Sequence, residues 1–359
     1  LPVRDGAVDM RTVPRPQAGD VAVEPRERDE RLASVSIVVP TIDRPEALTR
    51  SVKALLDTGY PDLEVLVVDN RPDPERALRW REFAESDRRV SYLTEHRRGI
   101  SHARNAGIAA AHGEYVGFVD DDIEVDPWWL HNLAAELADE RADCATSLVL
   151  PTRLESLAQR TFEQMKGFGQ GLERRVFGPE LAAADPGYAL SPGKFGPGGC
   201  ALWRRSTLVS LGGFDPLLGT GSPSRAGEDL FLFLRLARRG GTVVYAPDAV
   251  AWHDHGVEWP ELRDRIRGYG TGLCAMLLLH VLRRPADLGR LARALPGRVR
   301  HVLLPATAPG ARQPELAAIP RSLLFTQLHG IAGGPLALAR SARLQRRLRA
   351  HAARHLARR

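Results

Sequence analysis

Between residues 34 and 120, short apolar runs alternate with helix-length amphipathic segments. That alternation limits the fold more than any other feature of the sequence. "SVSIVVP" (34–40), "LEVLVVDN" (63–70), "VSYLTE" (90–95) and "EYVGFVD" (114–120) are short, β-branched and bounded by turn formers, as buried strands are. "RPEALTRSVKALLDTGY" (44–60), a charged segment over about 74–86, and "GISHARNAGIAAAHG" (99–113) separate them at helical spacing. Such repetition predicts an α/β fold with a mostly parallel sheet and helices on both faces. Ligands of such sheets sit beyond the carboxyl ends of the strands. Three of the four strands deliver polar groups there: Thr41 and Asp43, Asp69, and the run Asp120, Asp121 and Asp122.

Three adjacent carboxylates after an apolar strand need an explanation. They repel one another, and desolvating them costs about several kcal/mol unless a cation sits among them. Alone, the run reads either as a solvated acidic turn or as a metal site. The convergence of three strand ends favours a site.

The second half is less regular. "WLHNLAAELADE" (129–140) is an amphipathic helix and "CATSLVLP" (144–151) a strand. Residues 152–192 are Gly- and charge-rich and suggest no element. "GPGGCALWRRSTLVSLGGFD" (196–215) reads as loop, strand, helix and glycine turn. "GEDLFLFLRLARRGG" (227–241) is an amphipathic helix with Glu228 and Asp229 in its first turn. "TVVYAPDAVAWHDHG" (242–256) reads as two short strands. An apolar stretch of about a dozen residues inside "IRGYGTGLCAMLLLHVLRR" is short of the ~18–20 that span a bilayer. It suits a core or interfacial helix. Residues 285–359 read as helical, with breaks near 305–314 and 333–335.

With 359 residues, 43% of them hydrophobic and 26% charged, the chain can bury a large core without staples. Cys144, Cys200 and Cys274 are odd in number and widely spaced. They fit neither a zinc pattern nor a disulfide framework and suggest a reducing compartment. Residues 1–33 mix Pro, Arg, Asp and Glu without apolar periodicity, as an extended or disordered lead-in does, and their start lacks a signal-peptide pattern. The net charge is +6, but no carboxylate follows Glu315, and eight arginines lie between Arg340 and Arg359. Such a tail suits an anionic partner. No nucleic-acid motif accompanies it, so nucleic acid is not the expected partner.

Over about residues 34–280 the chain resembles an inverting family 2 glycosyltransferase of the GT-A, Rossmann-like fold. The resemblance rests on "VSIVVPTIDRPEAL", "LEVLVVDN", "RRGISHARNAGIAAAHGEYVGFVDDD", "LGGFDPLLGTGSPSRAGEDLFLFLRLARRGG" and "PDAVAWHDH", in this order and spacing. It implies three regions: a lead-in (1–33), a GT-A domain (34–260) and a helical, basic extension (261–359). The domain divides into a nucleotide-sugar half (about 34–125) and an acceptor half (about 126–260). It also implies a nucleotide-diphosphate-sugar donor, by default a UDP-sugar, and a Mn²⁺ or Mg²⁺ ion.

By the same resemblance, Pro40, Thr41, Asp43 and Arg44 lie beside the base, and Asp69 accepts from uracil or ribose. Gly99, Arg104 and Asn105 match the family's Gly-x-x-x-x-Arg-Asn segment, with Arg104 aimed at the base edge or diphosphate. Asp120–Asp122 match the Asp-x-Asp metal motif. Asp122 is the first-choice ligand, Asp120 faces the ribose or a metal-bound water, and Asp121 holds a backbone amide or the sugar. His253 or His255 adds a distant ligand, His253 matching better in position, with the other behind it. Asp229 is the implied general base and Glu228 positions the acceptor or the base. "GPGG" before Cys200 departs from the family pattern, which leaves the donor-sugar contact there open. Trp203 suits either the acceptor site or the core.

The expected activity is transfer of the sugar to an acceptor hydroxyl on a lipid-linked, cell-envelope or natural-product acceptor. The expected location is cytoplasmic, with the basic helices able to sit peripherally on the membrane's inner face. Two rivals are a non-catalytic relative that binds a nucleotide sugar or a partner, and a nucleotidyltransferase. The complete acidic set argues against the first. The second would show a Gly- and basic-rich loop where "PTIDRPEAL" stands.

Overall fold

The computed structural model describes residues 32–139, 141–184, 192–289, 291–293 and 320–356, plus a strand pair, Val3–Arg4 with Ala7–Val8. Most of the expected lead-in, and the expected break near 305–314, lie outside the described residues.

The first half follows the alternation. Strands β1 (Val35–Thr41), β2 (Leu63–Asp69), β3 (Val90–Thr94) and β4 (Tyr115–Val119) alternate with helices α1 (Pro45–Leu56), α2 (Pro74–Ser86) and α3 (Ile100–Ala110). Side chains of β1 serve the two faces in turn. Val35, Ile37 and Val39 join Leu48, Val52 and Leu55 of α1 in one layer. Val38 joins Ala103 and Ile108 of α3 in the other. Pro45 suits the first turn of α1, where its missing N–H costs nothing.

The main sheet continues through β5 (Ile123–Val125), β6 (Cys144–Pro151), β7 (Arg175–Phe177), β8 (Cys200–Arg204) and β9 (Val243–His253). Its order is β3-β2-β1-β4-β8-β6-β9-β5, with β7 on β9. The first four strands are parallel. β8 runs antiparallel between β4 and β6, and its first residue, Cys200, pairs with Val119 at the carboxyl end of β4. β6 and β9 are parallel, whereas β5 and β7 oppose β9. The crevice expected of such a sheet lies beyond the carboxyl ends of β1, β2 and β4.

Helices α4 (Trp129–Ala138), α7 (Arg205–Leu211) and α8 (Glu228–Arg238) fall where the sequence suggests them. Residues 152–192 depart from expectation and form α5 (Leu157–Lys166), β7 and α6 (Pro179–Ala184). The missed signal is Ser-x-x-Gln: Ser156 Oγ accepts the Gln159 N–H, and Gln159 Oε1 accepts the Ser156 N–H, a reciprocal cap. Residues 243–253 are one strand rather than two. Its pairing with β6 shifts register between Ala246 and Val250, where Pro247 supplies no donor.

Helix α9 (Trp259–Arg283) packs against α10 (Arg321–Leu356). α10 runs unbroken through Gly333, Gly334 and Pro335, where a break was expected. Tertiary packing overrides propensity there. A Cβ on Gly330 would strike the Arg267 carbonyl, and one on Gly334 would strike Cys274, so the glycines let the two helices approach closely. Among the described residues no helix is long and apolar enough to cross a membrane.

Candidate active site

The carboxyl ends of β1, β2 and β4 gather most of the residues singled out in the sequence. Asp69 ends β2 buried, accepting from Tyr92 Oη at 2.9 Å and from the Arg71 N–H. Asn70 donates to the carbonyls of Glu95 and Arg97 and accepts from the Gly99 N–H. It thereby pins the loop entering α3, where Gly99 has φ 134°. Pro40 is the penultimate residue of β1, and Asp43 turns the chain toward α1 with φ 56°. The short polar side chain of Asp tolerates that left-handed geometry.

The three aspartates point three ways. Asp121 is buried, with Oδ2 accepting from Thr41 Oγ1 at 2.7 Å and Oδ1 from Arg44 at 3.2 Å. Burial, reinforced by Asp122, pushes its carboxyl up to about 6 against those bonds. Asp122 meets Arg44 through Oδ2 at 2.7 Å and His253 Nε2 through Oδ1 at 3.5 Å. The β5–β9 register brings them together by pairing His253 with Ile123. Asp120 turns the other way and accepts from Arg104 at 2.7 Å.

Arg104 corrects an expectation. It was aimed at the base edge or diphosphate, but its side chain is only 2% exposed and bridges Asp120 to Glu228 at 2.9 Å. Phe118 and Phe214 sit under the guanidinium, leaving Nε without a partner. Asn105 also turns from the crevice: its amide donates to the Phe214 carbonyl and accepts the Phe214 N–H, both at 2.8 Å. Both residues brace the site, and the helix geometry that hides them is invisible in a motif.

Glu228 and Asp229 open α8 after Gly227, whose φ is 92°. Burial and the adjacent Asp229 push the Glu228 carboxyl up, and Arg104 opposes this. Burial likewise raises Asp229, against the pull of Arg104 and the Leu230 N–H. A Cβ on Gly198 would overlap the Asp229 side chain, and one on Gly199 would overlap the Asp120 carboxylate. The departure "GPGG" therefore makes room for two acids to reach the crevice. Trp203, by contrast, is core, stacked on Phe233 at 5.2 Å.

His253 and His255 are both buried, and their Nδ1 atoms lie 2.7 Å apart. Burial, with the neighbouring His255, pushes His253 down to about 3, so it is neutral and able to ligate. Three further residues carried no motif. Glu163 of α5 reaches His255 Nε2 at 3.0 Å. Arg265 of α9 lies over the Phe162 ring at 5.5 Å. Tyr269 of α9 is pushed up to about 12 by burial, with Asp229, Asp122 and Glu228 among the charges it feels.

Among the described residues no three His, Cys, Asp or Glu side chains converge as a metal cage. The donor set is instead a pair, Asp122 and His253, whose 3.5 Å separation one cation with bonds of about 2.1 Å could bridge. Mg²⁺ and Mn²⁺ commonly take few protein ligands and complete their shells with water and substrate phosphates, so the pair fits such an ion.

Comparison with known proteins decides the family. Residues 36–207 match the model of "Glycosyl transferase family 2". This region belongs to glycosyltransferase family 2. A pre-mycofactocin glycosyltransferase of Mycobacterium tuberculosis is 27% identical over 270 residues, covering 74% of this chain and 50% of the relative. An N-acetylglucosaminyltransferase of Rhizobium meliloti is 28% identical over 239 residues, covering 64% and 53%. The chain thus spans about half the length of these relatives. The mannosyltransferase PcManGT of Pyrobaculum calidifontis, solved with GDP-Man and Mn²⁺, superposes with a TM-score of 0.51 at 18% identity, covering 91% of this chain and 79% of that one. This likeness supports the GT-A fold of the family 2 chain.

Proposed function

We propose that this family 2 chain is a metal-dependent, inverting glycosyltransferase using a nucleotide-diphosphate sugar, with UDP the favoured nucleotide. The observation that carries the reading is the acidic convergence at one end of the sheet. There Asp120, first of the Asp120–Asp122 run after β4, meets Glu228, which opens α8 beside Asp229, across Arg104. Asp69 and the Thr41–Arg44 turn border the nucleotide, and Asp122 with His253 would hold Mn²⁺ or Mg²⁺. When bound, that ion neutralises charge on the departing diphosphate.

Asp229 takes the proton from an acceptor hydroxyl while that oxygen bonds to the anomeric carbon. The bond from that carbon to the diphosphate oxygen breaks, releasing the nucleoside diphosphate and inverting the centre. Glu228, held by Arg104, positions the base. Calorimetric titration of UDP, GDP and dTDP, with and without Mn²⁺, on the wild type and Asp122→Ala tests the donor site. One nucleotide binding only with metal, and weakly in the variant, supports the reading. Binding of none overturns it in favour of a non-catalytic relative.

The extension belongs to the same proposal as a contact with an anionic membrane surface, near a lipid-linked or cell-envelope acceptor. Along α10, Phe325, Leu328 and Leu336 are exposed, followed by exposed Arg340, Arg343, Arg346, Arg347 and Arg349. Apolar residues followed by arginines suit a lipid interface. Liposome binding should need anionic lipid, fall with salt and be lost in the charge-removed variant (Arg343→Gln, Arg346→Gln, Arg347→Gln). Binding indifferent to all three points to a soluble acceptor.

A further inference from the structure

Three side chains on one face of α5 converge on His255. Ser156 starts the helix by capping it, and the side chains at 159, 162 and 163 then share a face at helical spacing. Gln159 is fully buried and donates from Nε2 to the His255 carbonyl at 3.1 Å. The Phe162 ring meets the His255 ring edge-on at 4.7 Å. Glu163 Oε2 lies 3.0 Å from His255 Nε2. Phe168, just past the helix, packs its ring against His253 at 5.1 Å. Backbone, ring and outer nitrogen of His255 are thus all held, and none of these holding residues carries a family motif.

Hydrogen bookkeeping along this line has a directional result. A carboxylate can only accept, so Glu163 requires a proton on His255 Nε2. The two Nδ1 atoms, 2.7 Å apart, share one proton. With His255 neutral and its Nε2 protonated, its Nδ1 accepts, and the shared proton belongs to His253 Nδ1. That leaves His253 Nε2 as a bare lone pair facing Asp122 Oδ1. The 3.5 Å spacing agrees, being longer than the ~2.7–2.9 Å of a charge-assisted N–H to carboxylate bond. Two acceptors face each other there, an arrangement that suits a cation between them.

We propose that Glu163 and His255 are positioning residues that fix His253 in its Nδ1–H tautomer and aim its bare Nε2 at the position a divalent cation would take beside Asp122. The proposal deepens the donor-site reading and rests on it for its purpose, though the tautomer itself can be read without metal.

The first readout is two-bond ¹H–¹⁵N correlation on metal-free, ¹⁵N-histidine-labelled full chain, with His253 assigned by loss of its signals in His253→Gln. The wild type should show His253 protonated on Nδ1 and His255 on Nε2. Glu163→Ala should mix the His253 tautomers, and Glu163→Gln, whose amide oxygen still accepts, should restore the wild-type pattern. A wild-type His253 protonated on Nε2, or tautomers indifferent to Glu163, overturns the proposal. So does a doubly protonated His255.

The second readout is Mn²⁺ affinity by calorimetry in the presence of UDP. Loss of an outer hydrogen-bond partner of a metal-ligating histidine typically weakens metal binding about 10–100-fold, and Glu163→Ala should fall in that range. Unchanged Mn²⁺ affinity in that variant also counts against the proposal. If the tautomers are as stated and the wild type binds no Mn²⁺, the hydrogen-bond chain stands and the donor-site reading fails.

Discussion

The two halves of the sheet build the site by different means. In the parallel half, three of the four strands hand a functional residue to the crevice directly: Thr41 and Asp69 are the last residues of β1 and β2, and Asp120 follows β4. In the mixed half, the site residues come from the start of α8, the end of β9 and the flanks of α5 and α9, brought together by register and packing. Parallel βα units place function locally, so a short motif suffices. Antiparallel and helical additions place it through contacts distant in sequence, as between Arg104 and Glu228. The nucleotide contacts should therefore reside in the first half and the proton chemistry in the second, with the cation site shared between Asp122 and His253.

The largest effect should come from separating these roles. Asp229→Asn should lower kcat by about 10²–10⁴-fold, the range for removing a general base. Nucleoside diphosphate affinity should stay within about threefold. A comparable loss of nucleotide binding would erase the division between the halves. The pH profile sharpens the point. Burial raises the Glu228 and Asp229 carboxyls, so each binds its proton at a higher pH than an exposed acid. A base works only ionised, so kcat/KM should fall as pH drops through that raised value. The acid limb should lie above the ~3.9 of an ordinary Asp.

The same division explains what could be read from the sequence. The four parallel strands, the crevice and the acidic run were visible because apolar runs and their terminal residues are contiguous. Arg104 and Asn105 were visible as a motif but not in their roles: their partners, Glu228 and the Phe214 backbone, lie more than a hundred residues away. Helix α5 left a legible cap at Ser156 and Gln159, yet its charged, glycine-flanked sequence concealed the face that holds His255. The 333–335 segment misled for the opposite reason. Glycines there permit close helix packing, so a local breaker signal became a tertiary contact.

Arg104 ties the halves together, and its removal gives the next largest effect. Arg104→Ala leaves the buried Glu228 carboxylate and its partner Asp120 without their cation. Breaking a buried ion pair by removing one partner costs about 3–5 kcal/mol, and the partial exposure of Asp120 places the expectation at the lower end. Urea denaturation at pH 7 measures it. Arg104→Lys should recover only part of the loss, because one ammonium cannot reproduce the forked reach to both acids. Full recovery would reduce Arg104 to a point charge and loosen the claim that it sets the geometry of both.

The smallest predicted effect tests whether the mixed half merely borders the donor crevice or shapes it. Gly199 precedes β8, and its carbonyl accepts the Asp120 N–H at 3.0 Å. A Cβ at that position would strike the Asp120 carboxylate. Gly199→Ala must therefore push Asp120 aside or shift the start of β8, and such overpacking costs about 1–3 kcal/mol. If Asp120 borders the bound donor, part of that cost should appear as nucleotide affinity weakened about tenfold, read by calorimetry, with Asp229-dependent chemistry still present. If affinity is unchanged and only the unfolding midpoint falls, Asp120 serves Arg104 alone, and the nucleotide contacts lie wholly in β1, β2 and the Asp121–Asp122 pair.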